Sequence, residues 1–226
     1  MRKALLYIVI AAVALASCSK SQYEASPDMK YEGILTDVRF ADLVTVKRSS
    51  EGTVFFQYGR FKLLPEAVEY DRQRRLMVMM TISQEMEGEY YKCKVDWMEP
   101  LEEGVFRYGQ EGEKALSGDG LDMIIDSEFT RVDDGYLSVH YLTWWGEQPV
   151  HHDFTLSAGL YPEDPYSLVL TQNSNSDSRD VKSEGIVCFD INSLPDTEGE
   201  TKTITLYWTK LDGTVGKLGI GFKSRE

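Results

Sequence analysis

Residues 133–142 read DDGYLSVHYL, and their pattern decides the fold. Asp133-Asp134-Gly135 is turn chemistry. In the run that follows, Leu137, Val139 and Tyr141 alternate with Ser138, His140 and Leu142. Successive side chains of a strand point to opposite faces, so this alternation predicts a strand with one face in a core. Similar runs recur on both sides: Met123 to Ile125, Glu128 to Val132, Val150 to Leu156, Ser167 to Leu170, Ile186 to Ile191, Thr203 to Trp208 and Val215 to Ile220. About seven short strands with regular turn signals predict a β-sandwich over residues 116–226.

Towards the N-terminus the same period-two signal continues. Leu43 to Lys47, Val54 to Tyr58, Phe61 to Leu64 and the apolar run Leu76 to Ile82 read as strands, and Tyr91, Cys93, Val95 and Trp97 alternate with Lys92, Lys94 and Asp96. The one helix-compatible stretch, Pro65 to Asp71, falls between the third and fourth of these. Five short strands with a brief insertion there predict an OB-like five-stranded barrel over residues 35–115. Glycine and acid concentrate near residues 101–120, which places the domain break there. The chain is therefore expected to be all-β, a barrel followed by a sandwich.

Residues 1–17 stand apart. Arg2 and Lys3 precede an uncharged run from Leu5 to Ala16, shorter than the ~20 residues a membrane-spanning helix needs. Leu15-Ala16-Ser17-Cys18 resembles a bacterial lipoprotein signal, in which the peptide is cut before the cysteine and the Cys18 thiol is acylated. Residues 18–34 then form a lipidated cysteine and a polar tether. Removing 1–17 takes away Arg2 and Lys3 and no acid, so the net charge falls from −13 to −15. Several acyl chains give near-permanent attachment, at about 0.8 kcal/mol per buried methylene. Ser19 follows Cys18 and no acidic cluster follows it. The expected address is the cell envelope, on the outer membrane, with the body in the periplasm or at the surface. Such an acidic chain repels a phosphate backbone, so nucleic acid is not an expected partner.

The order of these segments carries a resemblance. LVTVKRSSEGTVFFQYGRFKLLP (43–65) and RRLMVMMTISQE (74–85) are followed by DGYLSVHY (134–141), HHDFTL (151–156), SLVLTQNSNSD (167–177) and IVCFDI (186–191). With the signal in front, this is similar to the NigD-like lipoproteins, found mostly in Bacteroidota. The resemblance implies an N-terminal OB domain, a C-terminal β-sandwich and a lipid anchor, and it implies no chemistry.

Candidate sites follow from the strand reading. If Tyr136 to Leu142 and Val150 to Leu156 form a hairpin centred near Gly146, then His140, His151 and Asp153 share one face, and imidazole and carboxylate there suit Zn²⁺. Against this, the whole chain holds three histidines, and a polar sheet face wetted by solvent explains them as well. Trp144 and Trp145 sit at the expected loop tip, where an exposed aromatic serves binding. Adjacent strand residues face opposite ways, so one should be more exposed than the other. Asn173, Asn175, Asp177 and Glu184 have calcium-loop spacing, but Ser178 stands where that loop needs glycine, and a polar turn is the plainer account. Arg72, Arg74, Arg75, Lys92 and Lys94 lend the barrel local basic character and read as solvated. Cys93 and Cys188 read as buried thiols. No phosphate loop, dinucleotide fingerprint or nucleophile elbow occurs, so no cofactor and no catalysis are expected. The expected function is contact with a protein partner, of immunity or inhibitor type. The alternatives are glycan binding within an envelope complex and an enzyme with an unrecognised site.

Overall fold

The computed structural model describes residues 38–46, 54–55, 61–63, 73–87, 90–109, 118–159 and 164–224. Cys18, its tether, the Pro65 to Asp71 stretch and Arg72 lie outside them. Among the described residues there are strands and no helix.

The first sheet comprises β1 (Val38–Val46), β2 (Val54–Phe55), β3 (Phe61–Leu63), β4 (Arg74–Glu87) and β5 (Tyr90–Pro100). Its order is β1-β4-β5-β3-β2, antiparallel except for the β3–β5 pair. That is the five-strand Greek-key order of an OB barrel. The long β4–β5 pair shifts register between Met79 and Met80 and again between Ile82 and Met86. Such irregularities bend and twist a strand, as barrel curvature requires.

The next two strands lie where the sequence reading ended the first domain. β6 (Glu102–Glu103) pairs in parallel with β13 (Val181–Asp190), and β7 (Val105–Tyr108) pairs in parallel with β11 (Asp153–Ala158). Both belong to sandwich sheets. Gly104 lies between them: a Cβ there would sit 2.2 Å from a Phe189 ring carbon and 3.0 Å from the Phe154 carbonyl oxygen. The glycine that reads as a domain break is the point where the backbone presses against the sandwich core.

The sandwich is completed by β8 (Met123–Ile124), β9 (Arg131–Asp133), β10 (Tyr136–Trp145), β12 (Ser167–Asn173), β14 (Lys202–Thr209) and β15 (Val215–Phe222). The second sheet runs β6-β13-β10-β8, with β9 also on β10; the third runs β15-β14-β12-β11-β7. Leu137, Val139 and Tyr141 of β10 face Leu156, Leu170, Leu206 and Ile220 across one core. Each fully buried side chain of this kind contributes roughly 1.5–3 kcal/mol.

One expectation fails here. β10 and β11 are not a hairpin, because they belong to different sheets. β10 pairs instead with β13, His140 opposite Ile186 and Trp144 opposite Lys182. The residues from Gly146 to His152 cross from one sheet to the other. Likewise the connection from β12 to β13 changes sheets, with Asn175 and Ser176 in left-handed conformation at φ 53° and 63°.

The first sheet is tied to the second by charge. Arg75 donates to Asp133 at 2.5 Å with its side chain fully buried. Arg131 also binds Asp133 and reaches the Leu43 carbonyl at 3.3 Å. Arg75 is thus not one of the solvated cations of the sequence reading. The side chains of Lys92, Lys94 and Cys93 lie outside the described residues, while Cys188 is a buried thiol.

Candidate functional site

Alternation along β10 places His140, Leu142 and Trp144 on the face away from the sandwich core. Lower on that face, Ser138 and Cys188 are fully covered, and Tyr136 bonds to the Gln73 side chain; burial pushes its hydroxyl pKa up. The upper half is only partly covered, Leu142 and Trp144 being intermediate in exposure. There Met123 of β8 lies beside Leu142 and is 46 % exposed. Met123, Leu142 and Trp144 form an apolar strip, bordered by an ion pair between Lys182 and Asp122.

Below the strip is a cleft of about 390 Å³. Met77, Glu99, Pro100 and Leu101 line it from the first sheet and the residue after it, Glu102 from β6, and His140, Glu184, Gly185 and Ile186 from the second sheet. His140 fixes its rim. Nδ1 meets Ser127 Oγ at 3.0 Å and Nε2 meets Glu184 Oε2 at 3.0 Å. Ser127 Oγ also accepts the Phe129 N–H at 3.2 Å. With the serine donating to Nδ1, the Nε2–H points at the Glu184 carboxylate and holds it over the cleft. Hydroxyl, imidazole and carboxylate follow one another as in a hydrolase relay. However, Ser127 does not line the cleft, so its oxygen does not face the space a substrate would fill. Glu102 has its carboxyl pKa raised, first by burial and further by Asp153, with His151 acting the other way.

The zinc candidates separate. His140 is on the second sheet, whereas Asp153 starts β11 on the third and His151 lies two residues ahead of it. His151 is exposed, 3.6 Å from Asp153 and 3.7 Å from Glu102. Among the described residues no three His, Cys, Asp or Glu side chains gather to hold a metal. The calcium-spaced residues also disperse. Asn175 bonds the His151 carbonyl and Asp153, Asp177 bonds the Gly146 N–H, and Glu184 bonds His140.

Trp144 and Trp145 end β10 rather than tipping a loop. They face opposite ways. Trp144 points outward, with Lys182 Nζ 5.7 Å from its ring centre. Trp145 turns inward and stacks on His152, with ring centres 4.0 Å apart and an 11° tilt.

His152 is the residue the sequence reading missed. It is fully buried. Its Nε2 meets Asp177 Oδ2 at 3.1 Å and its Nδ1 meets Gln172 Nε2 at 2.6 Å; Gln172 Oε1 accepts from Thr143 at 3.1 Å. The Gly146 N–H, followed by the His152 bond, holds the Asp177 carboxyl pKa below the usual aspartate range. A signal existed: His152 stands two residues before Phe154, and the period of two carried one position ahead of β11 puts it on the core side. This network links the ends of β10 and β12 with the two sheet-crossing loops. Its ring nitrogens are both engaged and its exposure is nil, so it organises structure and offers no reactive atom.

Comparison with known proteins places this architecture. A family model described as the NigD-like C-terminal beta sandwich domain matches residues 104–221, starting at the glycine between β6 and β7. Among solved structures, a toxin-related protein from Parabacteroides distasonis superposes with a TM-score of 0.63 at 22 % identity, covering 83 % of this chain and 94 % of that one. A NigD-like immunity protein from Bacteroides caccae gives 0.55 at 18 % identity, covering 80 % and 92 %. A protein from Bacteroides fragilis described as a lipoprotein gives 0.54 at 12 % identity, covering 84 % and 100 %. At these identities the likeness is one of fold. No curated protein matches the chain.

Proposed function

The chain belongs to the NigD-like family, whose sandwich domain it carries over residues 104–221, and on that footing we propose that it is a non-catalytic lipoprotein of the cell envelope, acylated at Cys18, that binds a protein partner. The observation that carries the reading is the partly covered upper face of the second sheet. An outward tryptophan, a half-exposed methionine and a leucine lie together there beside a charged cleft. Aromatic and methionine side chains ringed by polar groups are the composition of protein interfaces.

The name of the Bacteroides caccae relative supports an immunity-like role, in which a tethered protein intercepts a toxin. The net charge of −15 after signal removal suits a basic partner and keeps the body off an anionic leaflet. The outer membrane is the proposed address, with Cys18 as the attachment. Glycan binding is the weaker reading: Lys182 lies over the Trp144 ring, where a sugar would stack.

The test is affinity capture from an envelope extract with the full chain in non-ionic detergent. A protein partner gives retention that protease treatment of the extract abolishes and periodate treatment leaves intact. Retention abolished by periodate and resistant to protease would overturn the proposal in favour of a glycan. Cys18→Ser should move the chain out of the carbonate-washed membrane pellet; persistence there would contradict the anchor.

A further inference from the structure

We infer that the cleft between the first and second sheets receives an arginine or lysine side chain of the partner, while the partner's adjoining apolar residues seat on Met123, Leu142 and Trp144. This rests on the protein-binding reading and gives it a place and a chemistry.

The cleft is lopsided in charge. Glu99, Glu102 and Glu184 line it, and no lysine or arginine is among the described residues that do. Lys182 pairs with Asp122 and Arg75 is buried against Asp133, while His151 Nε2 stands 3.7 Å from Glu102 Oε1 at the edge of the cleft. His140 Nε2 meets Glu184 Oε2 at 3.0 Å, which fixes the place of that carboxylate at the cleft. Half-buried Glu102 has lost water, and burial raises its carboxyl pKa; an incoming cation would compensate that loss.

The shape selects the kind of cation. A divalent metal needs several oxygens or nitrogens converging on one point at ~2.0–2.6 Å. No such group exists among the described residues. Carboxylates spread around a cleft of about 390 Å³ instead suit a charge delivered on a long stem. A guanidinium is planar and delocalised, with five N–H donors that span separate carboxylates. Its aliphatic stem would lie along Met77 and Ile186. The cleft and the strip share the outward side of β10, His140 belonging to one and Leu142 and Trp144 to the other. One extended peptide could therefore occupy both.

The test uses the full chain in non-ionic detergent and a defined probe, acetyl-Leu-Arg-Leu-amide, titrated by calorimetry at low salt. The control peptide carries citrulline, the neutral isostere, in place of arginine. The expected result is saturable binding of the arginine peptide, at least tenfold weaker binding of the citrulline peptide, and a tenfold loss for the Glu102→Gln/Glu184→Gln double variant. Unchanged melting of that variant shows that the loss is local. Equal binding of the two peptides, or an unaffected double variant, would overturn the inference. So would no binding of the arginine peptide. The partner-binding reading fails separately, if the full chain captures no protein. Should it capture a partner that the double variant retains in full, the reading stands and the cleft assignment falls.

Discussion

The guanidinium of Arg75 is fully buried and meets the Asp133 carboxylate at 2.5 Å, binding the first sheet to the turn that launches β10. The same carboxylate also takes Arg131. Removing one partner of a buried pair strands the other charge, at about 3–5 kcal/mol, whereas an apolar replacement of both is often neutral. Asp133→Ala should therefore lower the denaturation midpoint strongly. Arg75→Met and Arg131→Met combined with Asp133→Leu should recover much of the loss. A triple variant no better than Asp133→Ala would contradict this account of the contact.

His152→Ala removes the centre of the Thr143, Gln172 and Asp177 network and the stack under Trp145. Buried polar groups left without partners cost ~1–3 kcal/mol, and the cavity adds to it. A destabilisation of about 3 kcal/mol is expected in urea, with loss of near-ultraviolet dichroism as Trp145 loses its rigid setting. A variant with native stability and an unchanged spectrum would show that the network is incidental.

The two adjacent tryptophans should separate binding from folding. Trp145→Ala opens the core end of β10 and should destabilise by about 3 kcal/mol. Trp144→Ala, on the outward face, should change stability by ~0.5 kcal/mol or less, as is usual for surface positions. Equilibrium unfolding of both variants checks this, and equal losses would contradict the opposite facings.

Acid should weaken the fold for an identifiable reason. The Asp119 carboxyl pKa is lowered by the Ser174 hydroxyl and N–H, that of Asp177 first by the Gly146 N–H, and that of Asp196 first by the Ser224 hydroxyl. Each binds its proton less readily folded than unfolded, so its contribution is present above the ordinary aspartate pKa and lost as pH falls through the lowered one. The melting temperature should be flat from about pH 7 to 5 and fall below pH ~4. Glu102 has the opposite sign: its raised pKa makes the ionised form unfavourable in the folded chain, so Glu102→Gln at pH 7 should leave the melting temperature equal or higher. A lower one would contradict the burial assigned to it.

Much of the fold was readable from local pattern. Leu137, Val139 and Tyr141 alternate with polar residues because they face the sandwich core, and β10, β14 and β15 follow directly from such runs. Sheet membership was not readable. Two neighbouring runs joined by Gly146 and Pro149 look like a hairpin, yet β10 and β11 lie in different sheets, and local sequence holds no term for that choice. Hence His140 parted from His151 and Asp153. The short β6 and β7 were hidden in a Gly- and Glu-rich stretch, because two- and four-residue strands carry too few positions to show a period. The outward setting of one tryptophan followed from period two alone, whereas the cleft beneath it needed Met77 and Glu184 brought together from strands far apart in the chain.

Capture of the envelope partner by wild-type chain and by Trp144→Ala, side by side in the same detergent extract, tests the central claim most directly. The account expects the variant to fold as the wild type does and to retain at least tenfold less partner. Equal retention by the two would contradict it, because binding would then not use the upper face of the second sheet.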